Sequence, residues 1–246
     1  MSVSLAPSSV QPGPPSPAPA RPGARPRSLR RRIAHIVVGV LLGYFALWAA
    51  GTLGILAMSY VARESTAPPA GTRAVQGIHN FQPVGTAGKL WRGAAPSPAG
   101  YRALSDLGFA TVVDLRAEDL SAAQLAEPRE AGLDVVRLPM RDGQTPSPEQ
   151  VRRLLDTVSR SSGPVFVHCG AGVGRTGTMA AAYLVKTGQE GAEAAVWRNL
   201  SVGPPSIEQI YYGLNLERER ATEKPPLSVV TLSRLVDAPR RIWSYL

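Results

Sequence analysis

The chain has 246 residues and sets 27 Lys and Arg against 18 Asp and Glu, for a formal charge of +9 at neutral pH. That length allows one ordinary domain with an appendage, and a lone cysteine excludes an intramolecular disulfide. Six arginines and no acid fall within the first 62 residues, which leaves +3 for the remainder. The excess is therefore a topology signal and does not indicate a nucleic-acid partner.

Residues 1–32 are rich in Pro, Ala, Ser and Arg without apolar periodicity, and are expected to be disordered and basic. Residues 33–62 form a nearly uninterrupted apolar run with no polar face. It exceeds the roughly 20 residues needed to cross a bilayer and the 7–15 of a secretory signal, so an uncleaved transmembrane helix is expected. Arg21, Arg25, Arg27, Arg30, Arg31 and Arg32 precede it, and only Arg63 and Arg73 follow closely. The positive-inside rule keeps the N-terminus cytoplasmic and puts the rest outside; in a bacterium, which the Ala/Pro/Arg-rich composition suggests, that is the periplasm.

A Pro/Gly/Thr linker is expected over 63–77, then a folded domain over 78–220 and an extension over 221–246. Strands are predicted at 89–92, 110–115, 134–138 and 164–168. Helices are predicted at 98–108, 121–131, 148–160, 175–187, 190–200 and 206–220. Strands alternating with helices imply an α/β fold, a central mainly parallel sheet flanked by helices. The extension places Leu232, Leu235, Val236, Ile242 and Trp243 beside Arg234, Arg240 and Arg241, which suits packing on the domain or resting on a membrane surface.

The most informative stretch is His168-Cys169-Gly170-Ala171-Gly172-Val173-Gly174-Arg175-Thr176. It follows the apolar run Pro164–Val167 and precedes an apolar helical stretch. A strand, a glycine-bearing loop and a helix N-terminus turn backbone N–H groups toward one point, which suits an anion and above all a phosphate. Cysteine at the floor of such a cradle, with the Arg175 cation close by, is favoured as the thiolate. A thiolate there can attack phosphorus and split one hard hydrolysis into two easier steps. Arg175 can curl over the loop and present its planar fork to two phosphate oxygens. Thr176 can hydrogen-bond the sulfur and assist its departure.

The motif His-Cys-x-Ala-Gly-x-x-Arg-Thr resembles the signature of the cysteine-dependent protein tyrosine phosphatase superfamily, in its dual-specificity-like branch. A sulfur-transferase loop fits this spacing less well, and thioredoxin-coupled arsenate reductases need further cysteines. The resemblance covers about residues 78–220. It implies a tyrosine phosphatase-like fold, Cys169 as nucleophile and Gly170, Ala171, Gly172, Val173, Gly174 and Arg175 as the phosphate-binding loop. His168 would fix that loop without donating a proton to substrate. Neither metal nor cofactor is implied.

Cleavage also needs a carboxylic acid on a loop to protonate the leaving oxygen. Leu138–Pro146 contains two prolines and a glycine, and its Asp142 matches the place of the family's general acid. Asp106, Asp134 and Asp156 sit within or at the start of regular elements, and Asp114 at a strand end matches a scaffold position. Arg116 either pairs with carboxylates near the site or ties loops together. Ser206 reads as a helix N-cap in a turn similar to one that caps the site in related phosphatases.

The implied activity is a membrane-anchored phosphomonoesterase acting on phosphotyrosine, with phosphoserine and phosphothreonine as further substrates. The loop interior holds no lysine, which favours a monophosphate. A lipid or inositol monophosphate is the alternative substrate class, and a non-catalytic phosphate-binding module is the alternative from another class.

Overall fold

The computed structural model describes residues 27–244. The expected disorder of residues 1–26 lies outside them, whereas 27–32, also expected to be disordered, are helical. Helix α1 (Arg27–Ser65) thus starts before the apolar run and continues past it, because arginine is a good helix former and nothing breaks the helix there. Its stretch Leu29–Ser65 is long and apolar enough to cross a membrane.

The described residues divide into two units, one up to Gly43 and one from Tyr44 onward. In the first, the described apolar side chains, such as Ile36, Val40 and Leu42, are exposed. In the second, the later turns of α1 are tied to residues 196–202. The Ser59 hydroxyl donates to the Leu200 carbonyl at 2.6 Å, and Ala62 packs with Val196 and Leu200. Arg63 donates to the carbonyls of Ser201 and Val202, each at 3.3 Å. Residues 63–65, expected in the linker, are therefore the docked end of a helix.

The body contains β1 (Gln82–Val84), β2 (Leu90–Gly93), α2 (Pro98–Asp106), β3 (Thr111–Arg116), α3 (Ala122–Glu130), β4 (Asp134–Met140) and α4 (Pro148–Arg160). Then come β5 (Val165–His168), α5 (Gly174–Lys186), α6 (Ala192–Val202), α7 (Ile207–Leu214) and α8 (Leu227–Ser244). The sheet order is β1-β2-β5-β3-β4, parallel except for β1, which pairs antiparallel with β2. β1 escapes the sequence reading because it is three residues long with a proline in the middle, an edge-strand composition. Helix α7 stops at Leu214, six residues short of its predicted end.

Alternation along β5 explains the layering. Val165 and Val167 face a core with Met179, Leu184 and Leu154, while Phe166 faces a second core with Phe81, Tyr101, Leu104 and Phe109. A central strand covered on both faces reads as a continuous apolar run, as Val165-Phe166-Val167 does. Helix α5 is buried along its whole length from Arg175 to Val185, and its small residues Ala180, Ala181 and Ala182 let it lie against the sheet. The N-termini of α3, α4 and α7 carry capping boxes, Ser121/Gln124, Ser147/Gln150 and Ser206/Gln209.

Register places the site. Gly93 of β2 and Asp114 of β3 both pair with His168 of β5, so three strands end together at their carboxyl edge. Open α/β sheets bind ligands at this edge.

Candidate active site

Cys169 follows the last residue of β5 and is 3% exposed. The loop then turns through Gly172, at φ +74, into the first residue of α5, Gly174. A Cβ on Gly172 would lie 2.3 Å from the Gly93 carbonyl carbon, so conformation and space both require glycine. At Gly174 a Cβ would come 2.7 Å from the Gln209 Oε1, which seats α7 against the start of α5.

Arg175 stands in the first turn of α5 and is 4% exposed. Its Nη1 and Nη2 donate to the two Glu118 carboxylate oxygens at 2.9 and 2.7 Å, and Nη1 also donates to the Met140 carbonyl at 3.1 Å. The remaining guanidinium nitrogen, Nε, lies 3.4 Å from Asp142 Oδ1. Burial opposes the Arg175 charge, but Glu118, Cys169 and Asp142 more than compensate and sustain it. Reciprocally, the Arg175 hydrogen bond holds the Glu118 carboxyl below the usual carboxylate range.

Cys169, Arg175 and Asp142 line one cleft of about 530 Å3, together with Glu118, Arg141 and Pro204. Asp142 lies just past β4, on a loop held from the far side. The Ser206 hydroxyl donates to the Gly143 carbonyl at 2.8 Å, and the Gln209 amide donates to the Gln144 carbonyl at 3.0 Å. Ser206 therefore caps α7 and also anchors the Asp142 loop.

His168 is fully buried, stacked on Phe166 at 5.9 Å between ring centroids, with Nδ1 3.1 Å from the Cys169 carbonyl oxygen. Burial pushes its pKa down to about 4, so the ring is neutral at neutral pH and Nδ1–H is the donor to that carbonyl. Beneath it, burial raises the Asp114 carboxyl, but hydrogen bonds from Arg116 at 2.9 and 3.0 Å outweigh this and hold it low. Arg116 therefore pairs with Asp114, while Glu118 takes Arg175.

Thr176 is fully buried, and its hydroxyl has no hydrogen-bond partner among the described residues. The expected Thr176–sulfur hydrogen bond is thus not made in this structure. Four side chains around the loop carry no motif that would have singled them out: Glu118, Arg141, Arg92 and Asn80. For Glu118 a usable signal existed, a carboxylate two residues beyond the end of a strand adjacent to the central one. The described residues contain no group of three or more His, Cys, Asp or Glu placed to hold a metal ion.

Residues 73–212 match the family model described as a DSP-PTPase phosphatase fused to NAD+ kinase. The chain is 40% identical over 96 residues to a probable chloroplastic NAD kinase 2 of Oryza sativa subsp. japonica, covering 37% of this chain and 10% of that protein. It is 41% identical over 76 residues to the tyrosine-protein phosphatase cdc-14 of Caenorhabditis elegans, covering 31% of this chain and 10% of that protein. The matched region thus spans about a tenth of the length of these relatives. Among solved structures, TpbA of P. aeruginosa in complex with pTyr aligns at 23% identity with a TM-score of 0.47, over 70% of this chain and 98% of that one.

Proposed function

Since its residues 73–212 carry that model, the chain belongs to the DSP-PTPase phosphatases, the dual-specificity-like branch of the cysteine-dependent tyrosine phosphatase superfamily, and we propose that it hydrolyses phosphomonoesters through a phosphocysteine on Cys169. The observation that carries the reading is the convergence of Cys169, Arg175 and Asp142 on one cleft at the carboxyl edge of the sheet.

In this reading the substrate phosphate sits on the loop N–H groups and against Arg175, whose fork Glu118 holds in place. The Cys169 thiolate attacks phosphorus, the bond from phosphorus to the ester oxygen breaks, and Asp142 gives that oxygen a proton. Water then attacks the phosphocysteine and passes a proton back to Asp142. Thiolate departs as inorganic phosphate forms. The Thr176 hydroxyl, buried in the first turn of α5 without a hydrogen-bond partner among the described residues, is the proposed donor to the departing sulfur.

Phosphotyrosine is the proposed protein substrate, with phosphoserine and phosphothreonine beside it, because the loop interior offers no lysine for a second phosphate. A lipid monophosphate is the second reading, favoured by one observation. Pro204 also lines an apolar cleft of about 330 Å3 with Trp48, Thr52, Ile55, Leu56 and Val236, and α1 contributes four of these residues. We read α1 as the membrane anchor, with its arginine-rich start cytoplasmic and the phosphatase domain outside.

Phosphate release by the full chain, with chelator present, tests the reading on a phosphotyrosine peptide, a phosphothreonine peptide, phosphatidylglycerophosphate and a phosphoinositide. Arg175→Lys keeps the charge and loses the fork. Its kcat/KM is expected to fall about 10²–10³-fold, the usual effect of removing a donor from a transition-state oxyanion. A near-normal value would contradict the proposed clamp, and no release by the folded wild type from any of the four would favour the binding-module alternative.

A further inference from the structure

Each carbonyl of the loop from Cys169 to Val173 is taken by a donor outside that stretch. The Cys169 oxygen faces His168 Nδ1 at 3.1 Å, and the Gly170 oxygen accepts from the Ala95 N–H at 2.9 Å. Ala171 accepts from the Asn80 side-chain amide at 2.9 Å. Gly172 and Val173 share one donor, Nη2 of Arg92, at 2.8 and 3.2 Å, and Val173 also accepts from the Gly177 N–H at 2.8 Å.

In a planar trans peptide, the N–H of one residue points opposite to the carbonyl of the residue before it. Fixing these five carbonyls outward therefore turns the N–H groups of Gly170, Ala171, Gly172, Val173 and Gly174 the other way. Those of residues 170–173 donate to no protein oxygen among the described residues. Four such donors turned to one side without protein acceptors would be costly unless an anion received them.

Two of the outer donors are side chains with features that mark them as held for this purpose. Arg92 is 4% exposed and reaches the loop from β2, and its Nη2 also donates to Asn199 Oδ1 at 3.1 Å. Asn80, at φ +56, is the single described non-glycine residue in the left-handed region. Asparagine tolerates that conformation better than most residues, yet it is an uncommon one that persists where the surroundings impose it. The surroundings here are Gly77 and His79, whose carbonyls accept from Ser97 and Ala94 just beyond β2.

We infer that Arg92 and Asn80 are positioning residues of the phosphate cradle, which hold its carbonyls from outside so that its N–H groups converge on the phosphoryl oxygens. Arg92 also sets a buried cation near the site, distinct from the Arg175 fork that Glu118 holds. The inference rests on the proposed reading of the loop as a phosphate site.

The test uses the full chain in detergent and tungstate as a probe that binds the cradle without turnover. Wild type, Asn80→Gly, Arg92→Lys and Arg92→Met are compared for tungstate inhibition, kcat and KM on a phosphotyrosine peptide, and thermal midpoint. Asn80→Gly keeps the left-handed backbone and removes only the amide, so it remains informative if Arg92→Met fails to fold. Tungstate affinity is expected to fall about tenfold in Asn80→Gly, the upper end of what one neutral hydrogen bond contributes. A larger fall is expected in Arg92→Met, partly recovered in Arg92→Lys, with kcat reduced more than KM rises. Unchanged tungstate affinity and kcat in folded Asn80→Gly and Arg92→Lys would overturn the inference and leave the phosphatase reading standing. Failure of wild type to bind tungstate at all would instead bring down the cradle itself, and the inference with it.

Discussion

Replacing Cys169 by serine is expected to abolish phosphate release while leaving the fold intact. The side chain is buried at the floor of the cradle, and serine matches its shape with a slightly smaller atom. The change in chemistry is far larger. A serine hydroxyl needs an adjacent general base to act as a nucleophile. His168, next to it in sequence, uses its Nδ1 on the Cys169 carbonyl and stacks on Phe166, so it does not serve as that base. Removing a nucleophile from a concerted site costs on the order of 10⁴–10⁶ in kcat, which here means loss to background. Steady-state phosphate release checks the loss, and an unchanged thermal midpoint checks the fold. Appreciable residual turnover in Cys169→Ser would place the nucleophile elsewhere. The variant should still bind substrate, because Arg175, Glu118 and the loop amides are untouched.

Asp142→Asn is expected to lower kcat by about 10²–10⁴-fold with little change in KM. The carboxyl is half exposed at the cleft, and its Oδ1 lies 3.4 Å from Arg175 Nε. Asparagine preserves the shape and loses the transferable proton. Arg175 keeps its bidentate partner Glu118, so the fork is not released and the binding of phosphate should persist. A neutral amide at this position does not repel the incoming phosphate, which separates the predicted kcat loss from any loss of affinity. Leaving groups distinguish a general acid from a generic defect. A phosphoserine or phosphothreonine peptide, whose alkoxide needs the proton most, should suffer more than p-nitrophenyl phosphate, whose phenolate leaves without help. Equal losses on both substrates would move the acid to another residue.

Parts of this arrangement were legible in the residues and parts were not, and the division follows sequence distance. The strand, loop and helix from Pro164 to Lys186 could be read directly, because one short stretch contains the apolar run, the glycines, the cysteine and the arginine. Asp142 could be placed on a loop because prolines and a glycine punctuate its surroundings, and it does line the Cys169 cleft. Ser206 showed its cap through Gln209 three residues later, but not its hold on Gly143, 63 residues away. Glu118 lies 57 residues from Arg175, and Arg92 and Asn80 lie 80 and 91 residues from the carbonyls they hold. No local pattern encodes such pairs; the shared carboxyl edge of the strands creates them. The three-residue β1 offered too little periodicity to register, and the far end of α1 read as linker because its partners, Leu200, Ser201 and Val202, come late in the chain.

The covalent intermediate is the central claim, and rapid-quench mass spectrometry of the full chain tests it most directly. The enzyme is mixed with a phosphotyrosine peptide, stopped in acid within milliseconds and digested, and the phosphoryl group is located by fragmentation. The account predicts a phosphoryl adduct on Cys169 that forms before steady state, decays as phosphate appears and is absent from Cys169→Ser. Turnover at the normal rate with no adduct on Cys169 at any quench time, or an adduct on another residue, would contradict it.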